Sequence, residues 1–324
     1  MPQPAARVDA TPEIWDNEIL IDVELLNLDS SSMRQLAEEA GGDPDGVAER
    51  IRDIVRKRGK MHNPITNSGG VLVGRILEIG SNHPARHLKV GQLVCPSISL
   101  SLIPLVVDEV LSVNVATAQV AVRGTAILFE TANIGVIPDD FDIRLALSII
   151  DVCGAPASVQ RWVKAGQSVA VLGAGKAGLM AAVAARQASG PGSCIVAFDV
   201  SLPHLDAMRS LGVVDEVVQV DLKEAVPVFE LARRLTKGKL FDFVINVTNV
   251  SGTETAAILC TKDRGSLLFF SMATNFQVAA LSAEGAGKDI DMVIGNGFVH
   301  GCIDFGFELV REHPLLRAVL AEKL

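Results

Sequence analysis

The chain of 324 residues is longer than one average domain and shorter than three, and its 49% hydrophobic and 21% charged residues are those of a globular protein, not a disordered or fibrous one. Its 29 Lys and Arg against 38 Asp and Glu leave a net charge of −9, a poor start for holding a polyanion, so no nucleic-acid partner is expected. The chain contains no Tyr, which excludes any mechanism that needs a phenol as proton donor. The five cysteines, Cys95, Cys153, Cys194, Cys260 and Cys302, form no CxxC pair and no Cys-His cluster at zinc-finger spacing, so neither a disulfide framework nor a metal site is expected. Met1 to Val8 has no apolar signal core, and no apolar stretch reaches the length of a membrane span without a charge. A cytoplasmic protein with no membrane partner is the expectation.

From Ile14 to Glu130 short runs rich in Val, Ile and Leu alternate with Gly, Pro and Asn: Glu18 to Leu28, Val71 to Ile79, Gln92 to Leu102, Leu105 to Val113 and Gln119 to Phe129. Strands at such spacing predict an all-β amino-terminal domain over 1–140. One helical insertion near 33–58 interrupts it. There Asp43 can cap, Pro44 takes the first helical position, and Val47, Ile51, Ile54 and Val55 recur at helical spacing up to Gly59.

Beyond the loop Gly135 to Asp142 the pattern becomes strand, helix, strand. Ser168 to Leu172 leads into a helix over Lys176 to Gln187, and Ser193 to Phe198 into His204 to Leu211. Glu216 to Val220, Val226 to Thr236, Phe241 to Val247, Thr253 to Leu259 and Ser266 to Ser271 then continue the alternation. This predicts a doubly wound parallel sheet over 141–300, followed by a helical segment over 301–324.

Gly173-Ala174-Gly175-Lys176-Ala177-Gly178 is a GxGxxG that follows a strand and opens a helix, and Asp199 ends the next strand. Gly173 permits the tight turn, Gly175 lets amides approach a pyrophosphate, and Gly178 lets helix and strand pack closely. Asp199 should accept hydrogen bonds from ribose hydroxyls and repel a 2′-phosphate, so the expected cofactor is NAD. Val200, Asn246 and Ser271, at or just after strand ends, complete the expected cofactor site. The bland alternative is a plain turn with Asp199 capping the next helix.

An all-β domain followed by such a domain resembles the medium-chain dehydrogenase/reductase superfamily. The residues that carry the resemblance include Asn17 to Val23, Gly70 before Val71-Leu72-Val73-Gly74, Lys89 to Val94, Val163 to Gln167, and Val293 to Gly301. The implied fold class is α/β, a GroES-like β-rich domain plus a Rossmann doubly wound parallel-sheet domain. Asp16 to Val23, Leu26 to Ser30, Glu38 to Asp43 and Arg58 to Thr66 are similar within it to the 3,5-diaminohexanoate dehydrogenase family of anaerobic lysine degradation.

Two departures accompany the resemblance. Zinc alcohol dehydrogenases of the superfamily carry a Cys where this chain has Asn27 to Ser30, and a His-Glu pair where it has Asn67 to Gly70, so no zinc chemistry is expected. The chain also begins near Pro2-Gln3-Pro4, where superfamily members have usually completed a first hairpin, so either the start lies further upstream or that edge is missing, and the amino-terminal strand order is left open.

The resemblance implies NAD-dependent oxidative deamination of a small-molecule diamino acid by a homodimer. Such a reaction needs a base, a polar group for the attacking water and countercharges for the substrate. Candidates lie in Asp29 to Ser32 and Lys60 to Asn63, on loops that in the superfamily face the nicotinamide. His62 is the expected base, with Asp29 as base or as partner of the second ammonium, and Lys60, Asn63, Ser30 and Ser68 as substrate contacts. Each has a structural alternative: an exposed loop histidine for His62, a turn carboxylate bonded to Ser31 or Ser32 for Asp29. A zinc-free quinone or enone reductase is the second reading, although those enzymes generally favour NADPH and carry basic residues after the second strand, where this chain has Asp199-Val200-Ser201. A non-catalytic NAD-binding scaffold, which would bind without turnover, is the third.

Overall fold

Strand alternation in the first run places Ile19, Ile21 and Val23 on one face of β1 (Glu18–Leu28), and a register shift between Val23 and Leu25 moves Leu26 and Leu28 onto that same buried face. The structure is a computed structural model that describes residues 4–271, 273–295 and 297–322. Pro2 and Gln3, Asn296 in the segment that resembles the family's return, and the last two residues of the expected carboxy-terminal segment lie outside the described residues. The chain forms two units, one running to Asp151 and the other over Val152–Glu322.

In the first unit β1 is followed by α1 (Ser30–Glu39) and α2 (Pro44–Arg58). Asp43 caps α2 through bonds from the Asp45 and Gly46 amides, Pro44 opens it, and Gly59, at φ +68°, closes it in the left-handed conformation that favours glycine. Val47, Ile51 and Val55 turn into the core while Arg56, Lys57 and Arg58 sit at the negative end of the helix dipole. Then come β2 (Gly70–Ile79), β3 (Leu93–Pro96), a 3₁₀ turn at Leu100–Leu102, β4 (Leu105–Asn114), β5 (Gln119–Phe129), β6 (Ile134–Val136) and α3 (Ile143–Ile150). The six strands form one antiparallel sheet in the order β4-β5-β1-β2-β3-β6.

Three expectations change here. The insertion expected near 33–58 holds two helices instead of one, α1 beginning ahead of it, and Asp29 to Ser32 is the capped first turn of α1 instead of a loop. Gln92 to Leu102 is not one strand, because β3 stops at Pro96 and Ser99 caps a 3₁₀ turn by accepting the Ser101 amide. The division between units falls after α3, which packs on β2, instead of at 140.

The second unit begins with α4 (Gly154–Trp162) and continues through β7 (Val169–Leu172), α5 (Lys176–Ser189), β8 (Ile195–Asp199), α6 (Leu202–Ser210) and β9 (Glu216–Gln219). After these come α7 (Ala225–Leu235), β10 (Phe241–Asn246), α8 (Glu254–Cys260), β11 (Thr261–Phe269), α9 (Phe276–Gly285) and β12 (Asp291–Ile294). The sheet is parallel throughout, in the order β12-β11-β10-β7-β8-β9. The chain therefore winds outward from β7 to β9 and restarts at β10, which leaves the turn after β7 at the reversal of strand order, where such sheets bind their ligands. The closing helices α10 (Cys302–Glu312) and α11 (Pro314–Ala321) pack on α4 and α5 as part of this unit, so they do not stand apart as a separate segment. The architecture is the GroES-like plus Rossmann α/β fold.

Candidate functional site

Each glycine of the turn after β7 answers a different demand. Gly173 has φ +102°, a conformation that side chains rarely adopt. A Cβ on Gly178 would lie 1.9 Å from the Gly173 carbonyl oxygen, so helix and turn touch there. A Cβ on Gly175 would meet nothing within 4 Å, and Gly175 caps α5 without a side-chain bond. Its surroundings are open, and the start of a long helix presents the positive end of its dipole there. Lys176 and Ala177, half-buried, begin that helix.

Asp199 joins this turn to the next. Its Oδ2 accepts the Ala174 amide at 2.6 Å and its Oδ1 the Ser201 amide at 2.8 Å, with His204 Nδ1 3.6 Å from Oδ2. The carboxylate is thus first a structural clasp, and each oxygen keeps a lone pair for a further donor. Val200 beside it is exposed. Asn246, in contrast, is consumed internally: its amide donates to Thr253 Oγ1 at 2.9 Å while its oxygen accepts from the Thr248 amide and hydroxyl. Ser271 Oγ accepts the Ala273 amide. Sequence reasoning missed Glu254, a buried carboxylate that takes the Gly252 amide at 3.0 Å and the Asn275 amide at 2.7 Å, tying the loop after β10 to the loop after β11. No pattern beyond an acid in a helix's first turn announces it.

In the first unit the predicted residues gather around the start of α1. Asp29 Oδ1 accepts Ser31 Oγ at 2.6 Å and the Ser32 amide at 2.9 Å, while Oδ2 is buried without a partner. Ser32, fully buried, shares its hydroxyl with Thr66 at 2.6 Å and Ser68 at 2.8 Å, and Thr66 and Ser68 are 2.8 Å apart. This ring of three hydroxyls joins the helix start to the loop that follows α2. Asn63 builds that loop: it donates to Gln35 Oε1 at 2.8 Å and accepts the Ile65 and Thr66 amides. Asp29, Ser30, Asn63 and Ser68 are thereby brought to one place, and Ser32 and Thr66 were the missed residues.

Lys60 and Asn63 are not on open loop. Both are buried, and burial together with the charge of Arg58 lowers the proton affinity of Lys60 below the ordinary lysine range. His62, half-buried, is held by Arg58, whose guanidinium lies 3.3 Å from Nδ1. Burial, then Lys60, then Arg58 push the imidazole below its usual titration range. Arginine can only donate, so Nδ1 accepts and the ring proton sits on Nε2. The thiols of Cys95, Cys194 and Cys260 are pushed up by burial, Cys260 to about 12, which suits packing and not nucleophilic attack. Among the described residues no three His, Cys, Asp or Glu side chains converge as a metal site would need.

Comparison with known proteins adds the relatives. Residues 1–138 match the family model described as the L-erythro-3,5-diaminohexanoate dehydrogenase N-terminal domain. The L-erythro-3,5-diaminohexanoate dehydrogenase of Acetoanaerobium sticklandii is 41% identical over 319 residues, 98% of this chain and 93% of the relative. The enzyme of the same name from Fusobacterium nucleatum subsp. nucleatum is 41% identical over 324 residues, 99% of this chain and 94% of the relative. Among solved structures, an alcohol dehydrogenase from Thermotoga maritima aligns at a TM-score of 0.58 and 14% identity over 96% of this chain and 86% of its own, a likeness of fold.

Proposed function

We propose that this chain, which belongs to the L-erythro-3,5-diaminohexanoate dehydrogenase family, catalyses the NAD-dependent oxidative deamination of (3S,5S)-3,5-diaminohexanoate to 5-amino-3-oxohexanoate in lysine fermentation. The observation that carries this reading is the 41% identity to two dehydrogenases of that name across both units of the chain. In the overall change the C3–H leaves as hydride, the amine nitrogen leaves as ammonium, water supplies the ketone oxygen and one proton is released. NAD, when bound, supplies the hydride acceptor.

The turn after β7 fits such a cofactor. Gly175 and the positive end of the α5 dipole would hold the pyrophosphate, and Asp199 would use its remaining lone pairs on the ribose. Asp199-Val200-Ser201 offers no cation to a 2′-phosphate, which supports NAD over NADP.

Two contacts favour Asp29 over His62 as the base in this reading. A base needs a bare acceptor, and His62 Nδ1 is already engaged by a guanidinium while Nε2 carries the proton. Asp29 Oδ2 has no partner and would take the proton of the reacting ammonium. His62, neutral near pH 7, would donate from Nε2 to the substrate carboxylate, with Ser30 and Ser68 as further contacts. In the hydroxyl ring each O–H donates to its neighbour, which leaves a lone pair on each of Ser32, Thr66 and Ser68. Those lone pairs would accept a water's protons and turn its oxygen outward for attack on the imine.

We place the enzyme in the cytoplasm as a zinc-independent homodimer. No single described helix is long and apolar enough to cross a membrane. The parallel sheet ends at β12, an edge carrying exposed Met292 and Ile294 with Phe298 beyond, and a two-fold pairing there would cover it. The deciding assay is NADH formation with 3,5-diaminohexanoate, set against quinones, simple alcohols and common amino acids. Turnover of a quinone or an alcohol in preference to the diamino acid would overturn the reading.

A further inference from the structure

Four of the five buried side-chain polar atoms that lack a hydrogen-bond partner among the described residues fall at one end of the β1–β5 pair: Asn27 Oδ1, Asp29 Oδ2, Thr117 Oγ1 and Gln119 Oε1. Register explains the grouping. Leu26 opposes Val120 and both are fully buried in the core, so Asn27 and Gln119, the next opposed pair, stand side by side on the other face. The Leu28 amide donates to the Ala118 carbonyl, which carries the pairing one residue further, and Asp29 and Thr117 are the positions after that. Asn27 is 2% exposed and Gln119 4%. A buried acceptor without a donor is destabilising, so such atoms are rare, and a group of them calls for donors brought by something bound.

We infer that Asn27, Gln119 and Thr117 form the subsite for the substrate's second ammonium, the one at C5 that is not oxidised. This rests on the diamino acid reading above. An ammonium has three donors and no acceptor, which matches three neutral oxygens, and the Asp29 carboxylate alongside supplies countercharge while serving the amine at C3. Same-face neighbours along a strand are about 6.6 Å apart. Two nitrogens in a 1,3 relation bridge that span through hydrogen bonds of about 2.9 Å.

The test compares kcat/KM for 3,5-diaminohexanoate with that for 3-aminohexanoate, which lacks the second amine. It uses the wild type, Asn27→Leu, Gln119→Met and Asn27→Asp, each in potassium, sodium and choline salts. The apolar replacements should lower the preference for the diamino acid by at least about tenfold, through KM, because an interaction common to ground and transition states is removed. Asn27→Asp, which keeps an acceptor, should hold the preference within about threefold of wild type. Melting temperatures of the apolar variants should not fall, because each loses an unpaired buried polar atom. A preference unchanged in both apolar variants overturns the assignment. So does an activity that requires potassium or sodium and loses that requirement in Asn27→Leu, which makes the patch an inorganic cation site. If the wild type forms no NADH from the diamino acid, the function reading fails by itself. Calorimetric binding of 3,5-diaminohexanoate to wild type and Asn27→Leu then reads the subsite directly: weaker binding to the variant supports it, and equal binding or none overturns it.

Discussion

Replacing Asp199 by Ala should damage folding and cofactor choice at once, and the two effects are separable. The carboxylate accepts the amides of Ala174 and Ser201, and Ala174 is fully buried, so water cannot replace the lost acceptor at that site. An unpaired buried amide costs about 1–3 kcal/mol, and the bond to the more accessible Ser201 amide adds about 1 kcal/mol, which gives roughly 2–4 kcal/mol. For a unit of this size each kcal/mol moves the midpoint by about 2–4 °C, so the apo protein should melt roughly 4–16 °C lower. Asp199→Asn keeps one acceptor oxygen and turns an amide nitrogen toward the other N–H, so it should recover about half of the loss. Against this, the kcat/KM ratio for NAD over NADP should collapse in both variants, because both remove the anion that repels a 2′-phosphate. A midpoint within about 1 °C of wild type for Asp199→Ala would show that the clasp does not hold the turn. Equal efficiency of the wild type with both cofactors would refute the ribose role.

Gly175→Val should fold with a near-native melt yet lose NAD binding by calorimetry, because its new side chain enters open space, whereas Gly178→Ala should lower the melt itself, its Cβ meeting the Gly173 carbonyl at 1.9 Å. Asp29→Asn should reduce kcat by on the order of a hundredfold or more. His62→Ala should mainly raise KM, and the reverse pattern in steady-state kinetics would return the base to His62. Because the folded protein holds His62 and His83 below their ordinary titration range, the unfolded chain binds more protons just under pH 6.5. Stability should therefore fall as pH drops through that range, and His62→Ala should flatten the slope of melting temperature against pH. Light scattering at micromolar protein should give twice the chain mass, and Ile294→Lys should shift the particle toward the monomer.

What could be read in advance was local. Asp43, Pro44 and Gly59 mark both ends of α2 because capping and a left-handed residue are demands met within a few positions. The turn after β7 was legible for the same reason: each glycine relieves a contact that a short stretch of chain creates. The start of α1 carries its own signal, an Asp cap followed by Met33, Leu36, Ala37 and Ala40 at helical spacing, which outweighs the loop that the superfamily resemblance implies for Asp29 to Ser32. The expected substrate site fared worse for a physical reason. Ser32 meets Thr66 and Ser68 across separations of 34 and 36 residues, and Asn27 meets Gln119 only through the register of two strands that a bulge has shifted. A polar side chain on a β-strand ordinarily announces a solvent face, and nothing in its neighbours tells that this one is closed off from water. The same bulge that keeps Leu26 and Leu28 in the core puts Asn27 on the opposite face. The subsite proposed at Asn27 and Gln119 therefore depends on a register shift, and an insertion or deletion in β1 between Val23 and Asn27 would exchange a core residue for a polar one and should disrupt that grouping together with the sheet.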